Sequence, residues 1–91
     1  MRETYTVLLR PEPEGEFTVK VPALPGCLTR GRTVLEALRN AEDAIQGYLV
    51  SLAKHDEPIP HEEEVTFPTG NLTEALIYRV SVEVREVAQA A

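Results

Sequence analysis

Apolar side chains recur along this chain at every second residue, then at every third or fourth, then at every second again. Tyr5, Val7 and Leu9 alternate with Thr4, Thr6 and Leu8, and Phe17, Val19 and Val21 alternate with Thr18 and Lys20. Each stretch predicts a strand with one face buried. Between them, the two prolines of PEPEGE cannot donate to a ladder and Gly15 tolerates positive φ, so residues 11–16 predict the loop of a long hairpin. Pro22-Ala23-Leu24-Pro25-Gly26 breaks the sheet, with Pro25-Gly26 as a strong turn signal. Residues 27–30 predict a short third strand, ended by Gly31.

The period then changes. Val34, Leu38, Ala41, Ile45, Tyr48 and Leu52 fall in steps of three and four, and Leu35, Ala37, Ala44 and Leu49 widen the stripe. This predicts a helix over 34–54 with one buried face. Thr33-Val34-Leu35-Glu36 is a capping box, in which the Thr33 hydroxyl accepts from the Glu36 N–H and the Glu36 carboxylate reaches back to the Thr33 N–H. Residues 55–76 hold Pro58, Pro60 and Pro68 and read as a long loop with Glu62-Glu63-Glu64 exposed, in which either Val65-Thr66-Phe67 adds a short edge piece or the segment is mobile. From 77 to 85, Tyr78, Val80, Val82 and Val84 alternate with Arg79, Ser81, Glu83 and Arg85, which predicts the last strand.

The order is therefore βββαβ. A meander of three strands followed by a right-handed crossover places the fourth strand beside the first and parallel to it. The expected architecture is α+β: a mixed four-stranded sheet in the order 3-2-1-4 with one helix on one face. It forms a single domain over residues 1–91, with a core from 4–54 and a strand from 77–85. The other face carries Thr4, Thr6, Leu8, Thr18, Lys20, Arg79, Ser81 and Glu83, and nothing in the predicted elements covers it.

Composition narrows the function. The chain has 91 residues, a net charge of -6 and 43% hydrophobic residues, enough for one core and too many for a disordered chain. No apolar run approaches the roughly 20 residues a membrane helix needs. The start, MRETYTVLLRP, puts acid and threonine where a leader peptide would be apolar, which predicts a cytoplasmic protein. An acidic chain without a basic cluster is a poor nucleic-acid binder, so no direct nucleic-acid binding is expected.

The segment from 17 to 52 resembles the HicB-like antitoxin domain of bacteria. The family runs from a strand through Pro-Asp-Leu-Pro-Gly-Cys to a short strand ending in Gly-Asp-Thr. It then opens a helix with Glu-Ala. Here Pro22, Leu24, Pro25, Gly26, Cys27, Gly31, Thr33, Glu36, Ala37, Leu38, Ala41, Ala44, Tyr48 and Leu49 match it. Two acids of that pattern are replaced, by Ala23 and Arg32, which touches any partner contact at that corner. The resemblance implies a partial RNase H-like sheet and a role in binding and neutralising a small, basic, HicA-like mRNA-cleaving toxin. Many members continue into a DNA-binding domain. Six residues follow Arg85 here, so the chain resembles the antitoxin domain standing alone.

Chemistry offers little against that reading. RNase H catalysis needs carboxylates converging on two metals. The first strand's alternating stretch, 5–10, has none, while Glu36 belongs to a cap and Glu83 to an exposed strand position. His55 and His61 stand among acids without metal-ligand spacing, so no metal or other cofactor is expected. Cys27 has no neighbouring base to activate it and reads as a small buried apolar side chain. The expected protein is thus a non-enzymatic protein-binding module. A chain this small gains from more burial, so it is expected to form a dimer or higher homo-oligomer. The alternatives are an interaction or regulatory domain without a toxin, and a metal-dependent nuclease.

Overall fold

The structure is a computed structural model and describes residues 2–62 and 75–84. Four strands and one helix follow in the order β1 (Arg2–Pro11), β2 (Phe17–Lys20), β3 (Leu28–Gly31), α1 (Val34–Lys54) and β4 (Leu76–Glu83). The sheet order is β3-β2-β1-β4, as the meander and the crossover predict. α1 packs on one face.

The direction of β4 is not as expected. Its register runs from Arg2↔Glu83 to Leu9↔Leu76, antiparallel to β1, and the other two pairings are antiparallel as well. The sheet is therefore antiparallel throughout, not mixed. Handedness governs a crossover that leads directly from a helix into a parallel strand. Here the chain from 55 to 75 is long enough to travel back along the sheet before β4 begins. Its described part does so: the Tyr5 hydroxyl donates to the Pro60 carbonyl at 2.7 Å, and Glu62 reaches Thr6 at the middle of β1. Val65, Thr66 and Phe67, like Glu63 and Glu64, lie outside the described residues.

The core sits between sheet and helix. Tyr5, Val7 and Leu9 of β1 and Val19 of β2 face Ala37, Ala41, Ile45 and Leu49 of α1, and all are buried. The stripe thus centres on one i, i+4 row, with Val34, Leu38, Ala44, Tyr48 and Leu52 packed at its margins. Leu35, expected within the stripe, is 59% exposed, because it falls beyond the arc that one sheet can cover. The small side chain of Ala37 lets the helix approach β3 closely, where Gly31 lies against it.

Thr33 caps the helix, its Oγ1 accepting from the Glu36 N–H at 3.0 Å. The reciprocal bond differs from the expected one. The Glu36 carboxylate accepts from the Arg32 N–H at 2.7 Å, one residue further back than the box predicts. The Pro25-Gly26 turn forms as expected: the Cys27 N–H donates to the Leu24 carbonyl at 2.9 Å, and Gly26 has φ of 82°. This is the left-handed second position of a type II turn. It swings Leu24 and Cys27 under the sheet, where both are buried.

Burial, with Glu3 and Glu62 nearby, pushes the Tyr5 phenol up to about 12. The folded chain keeps a proton that the unfolded chain releases near pH 10, so stability falls as pH rises from about 10 towards 12. Tyr5→Phe is expected to flatten that decline. Urea unfolding of both proteins across this range checks it, and equal slopes would contradict it.

Candidate protein-interaction face

The face opposite α1 is ordered by the strand registers. Cross-strand partners share a face, so Leu8↔Lys20, Lys20↔Leu28 and Leu8↔Ile77 set one row across all four strands: Leu28, Lys20, Leu8, Ile77. The next row holds Arg30, Thr18 and Arg10. On the other side stand Thr6 opposite Arg79, then Thr4 opposite Ser81, then Arg2 opposite Glu83. All eight residues expected on this face, Thr4, Thr6, Leu8, Thr18, Lys20, Arg79, Ser81 and Glu83, are brought together there. The sequence reading passed over Arg2, Arg10, Leu28, Arg30 and Ile77. The signal for them was present, since Arg2 and Arg10 share the alternation of Thr6, and Ile77 that of Arg79.

Two properties of this surface follow from those rows. It is apolar along its middle, where Leu28 is 66% exposed and Ile77 54% exposed beside Leu8. An open groove of about 400 Å³ lies along Leu8, Leu28 and the stems of Arg10, Lys20 and Arg30. It also gathers cations: Arg2, Arg10, Lys20, Arg30 and Arg79 are five of the nine basic residues of an acidic chain. Arg30 meets Glu16 at 3.8 Å and Arg79 meets Glu62 at 3.8 Å, both loosely. Among the described residues Arg10 and Lys20 have no carboxylate within ion-pair distance. With Glu12, Glu16, Glu62 and Glu83 beside them, these five cations make the face close to charge balance in a chain of net charge -6.

Glu62 borders the face and was expected to be exposed, yet its side chain is 15% accessible. β2 pairs only with residues 8–11 of β1, so the same flank of β1 is left without a strand from Thr6 downwards. Glu62 fills that gap. Its carboxylate accepts from both the backbone N–H and the hydroxyl of Thr6, and His61 Nδ1 meets Glu3 Oε2 at 2.9 Å. A carboxylate thus stands in for the missing ladder partner.

The residues matched to the family pattern lie in the core, at the turn before β3 and at the start of α1. Leu24 and Ala37 are fully buried, Pro22 is half-buried and Pro25 is exposed at the turn. Gly26 turns the chain, Gly31 admits the helix, and Thr33 and Glu36 cap it. Cys27 is 5% exposed, and burial pushes its thiol up, which disfavours the nucleophilic thiolate. Of the two positions where the pattern's acid is replaced, Ala23 is buried in the core and Arg32 is exposed, so only Arg32 alters the surface. Glu83 pairs with Arg2 at 3.2 Å. Among the described residues no three metal-ligating side chains stand together, and no helix is long and apolar enough to cross a membrane.

A family model described as the HicB-like antitoxin of bacterial toxin–antitoxin systems matches residues 5–90. A UPF0150 protein of Thermoplasma acidophilum is 50% identical over 64 residues, which is 68% of this chain and 93% of that protein. The crystal structure of the N-terminal domain of Burkholderia pseudomallei antitoxin HicB superposes with a TM-score of 0.72 at 24% identity, covering 89% of this chain and 99% of that one. A chain of a toxin–antitoxin complex from Streptococcus pneumoniae superposes with a TM-score of 0.70 at 20% identity, covering 91% of this chain and 70% of that one. At these identities the two structures establish the fold.

Proposed function

The chain belongs to the HicB-like antitoxin family of bacterial toxin–antitoxin systems, and on that footing we propose that it is a non-catalytic protein-binding module whose uncovered sheet face docks and masks a HicA-like mRNA-cleaving toxin. The observation that carries this reading is the row Leu28, Lys20, Leu8, Ile77 on a face that α1 leaves open, in which Leu28 and Ile77 are exposed. Large aliphatic side chains exposed on an uncovered sheet face support a contact surface. The match of the fold to a chain of a toxin–antitoxin complex adds support.

Charge divides the work between approach and contact. The net charge of -6 draws a small basic partner from a distance. Close to the sheet the partner meets Arg10, Lys20, Arg30 and Arg79, with Glu12, Glu16 and Glu62 among them. The toxin segment that seats there therefore presents aliphatic side chains bordered by carboxylates or carbonyls, while its basic surface faces the acidic remainder of the chain.

Co-expression with the small gene product encoded beside it, followed by capture through a tag on this chain, tests the proposal. Wild-type protein is expected to retain a small basic protein and to relieve its growth arrest. Leu28→Glu combined with Ile77→Glu is expected to lose both effects with the melting temperature unchanged, since both side chains are exposed. Retention of no such protein by the wild type would contradict the antitoxin role.

A further inference from the structure

The polar groups of the open face are matched on one half and unmatched on the other. On the half that Arg2, Thr4 and Thr6 form with β4, Arg2 pairs with Glu83 at 3.2 Å and Arg79 meets Glu62 at 3.8 Å. The hydroxyls there are taken as well. Thr6 Oγ1 donates to Glu62 Oε2 at 2.6 Å, and the hydroxyls of Thr4 and Ser81 pair at 2.7 Å. Each cation on this half already has a carboxylate.

The half built around β2 differs. Arg10, Lys20 and Arg30 come from three neighbouring strands and share one face. Lys20 is the diagonal neighbour of the other two, a separation of about 7–8 Å, and Thr18 lies between Arg10 and Arg30. All three cations line the groove together with Leu8 and Leu28. Two carboxylates stand nearby, and both are engaged elsewhere: Glu12 accepts from Thr18 Oγ1 at 2.9 Å, and Glu16 meets Arg30 at 3.8 Å. Arg10 and Lys20 make no ion pair among the described residues. Three cations against two carboxylates leave one positive charge in excess beside an aliphatic wall.

We propose that Arg10 and Lys20 cradle a single carboxylate of the HicA-like partner, an Asp or Glu whose aliphatic neighbour seats against Leu8 and Leu28. This rests on the docking role proposed above and assigns the charged contact within it. One cation in excess matches one carboxylate, whereas a second acid would meet Glu12 and Glu16. The same two acids, in a chain of net charge -6, oppose a run of phosphates, which would need clustered cations. A partner laid over the groove shields the new pair from water and strengthens it. On the other half, Arg2 would have to give up Glu83 for any new carboxylate, an exchange with little net gain. The charged part of the affinity is therefore concentrated around β2.

Calorimetric titration of the HicA-like partner into variants of this chain tests the cradle. Arg10→Gln combined with Lys20→Gln removes both charges and keeps part of each stem. Both side chains are exposed, so the fold is retained. This variant is expected to bind at least about tenfold more weakly, and Arg2→Gln less than about threefold more weakly. Replacing the partner's acids one at a time by their amides should reveal one whose loss is costly against the wild-type chain and nearly without further effect against the double variant. Leu28→Glu separates the two readings. Loss of binding with Leu28→Glu but full affinity in the double variant overturns the cradle alone. Undiminished affinity with Leu28→Glu, or no binding by the wild type, overturns the docking role and the cradle with it. A partner with no acid coupled to Arg10 and Lys20, or capture of a single-stranded RNA oligonucleotide through these two cations, would also overturn the cradle.

Discussion

Replacing Gly31 with alanine is expected to destabilise the fold by about 3 kcal/mol, at the upper end of the usual cost of overpacking. A Cβ at this position would lie 2.4 Å from the Ala37 backbone nitrogen and 2.6 Å from its Cα. Both are main-chain atoms at the start of α1, so relief requires moving the helix off β3 and not the turn of a side chain. The glycine is needed for closeness of approach and not for an unusual φ. Gly47→Ala is the control, because a Cβ there meets nothing within 4 Å. It is expected to stabilise the helix by about 0.5–1 kcal/mol. Urea denaturation of the two variants checks both signs. Equal and small effects would mean that α1 does not lie on β3 as closely as described.

Ile45→Ala is expected to cost about 2–5 kcal/mol, the range for deleting a large aliphatic side chain inside a core. Ile45 is fully buried, midway along the row of Ala37, Ala41, Ile45 and Leu49. Because two of its companions are alanines, it supplies much of the helix's apolar volume on that row, and the neighbours have little freedom to close the cavity. Thermal and urea unfolding measure the loss. A cost below about 0.5 kcal/mol would be that of a surface position and would place the buried face of α1 elsewhere.

The helix was legible because its signals agree with one another: the Thr33 cap, the period of the stripe and the small residues facing the sheet all indicate the same element. The strand order was legible for a similar reason, since short turns at 11–16 and 22–27 leave a meander little choice. The direction of β4 was not, because it depends on the path of residues 55–75. The prolines there show only that no helix forms; they do not show that Glu62 bonds Thr6 and leads the chain back along β1. The gathering of cations on the open face was also hidden. Net charge sums over the whole chain, whereas the cations of that face are scattered over three strands and the start of β4. They come together only once the registers Leu8↔Lys20, Thr18↔Arg30 and Thr6↔Arg79 are known.

Two exposed leucines on opposite sides of the molecule allow a direct comparison. Leu28 stands on the open sheet face at 66% exposure, and Leu35 on the outer side of α1 at 59%. Calorimetric titration of the HicA-like partner proposed for this chain into Leu28→Glu and Leu35→Glu tests which side is the docking surface. Loss of binding with Leu28→Glu and wild-type affinity with Leu35→Glu is the predicted result. The reverse pattern, or undiminished affinity in both variants, would contradict a docking surface on the uncovered face of the sheet.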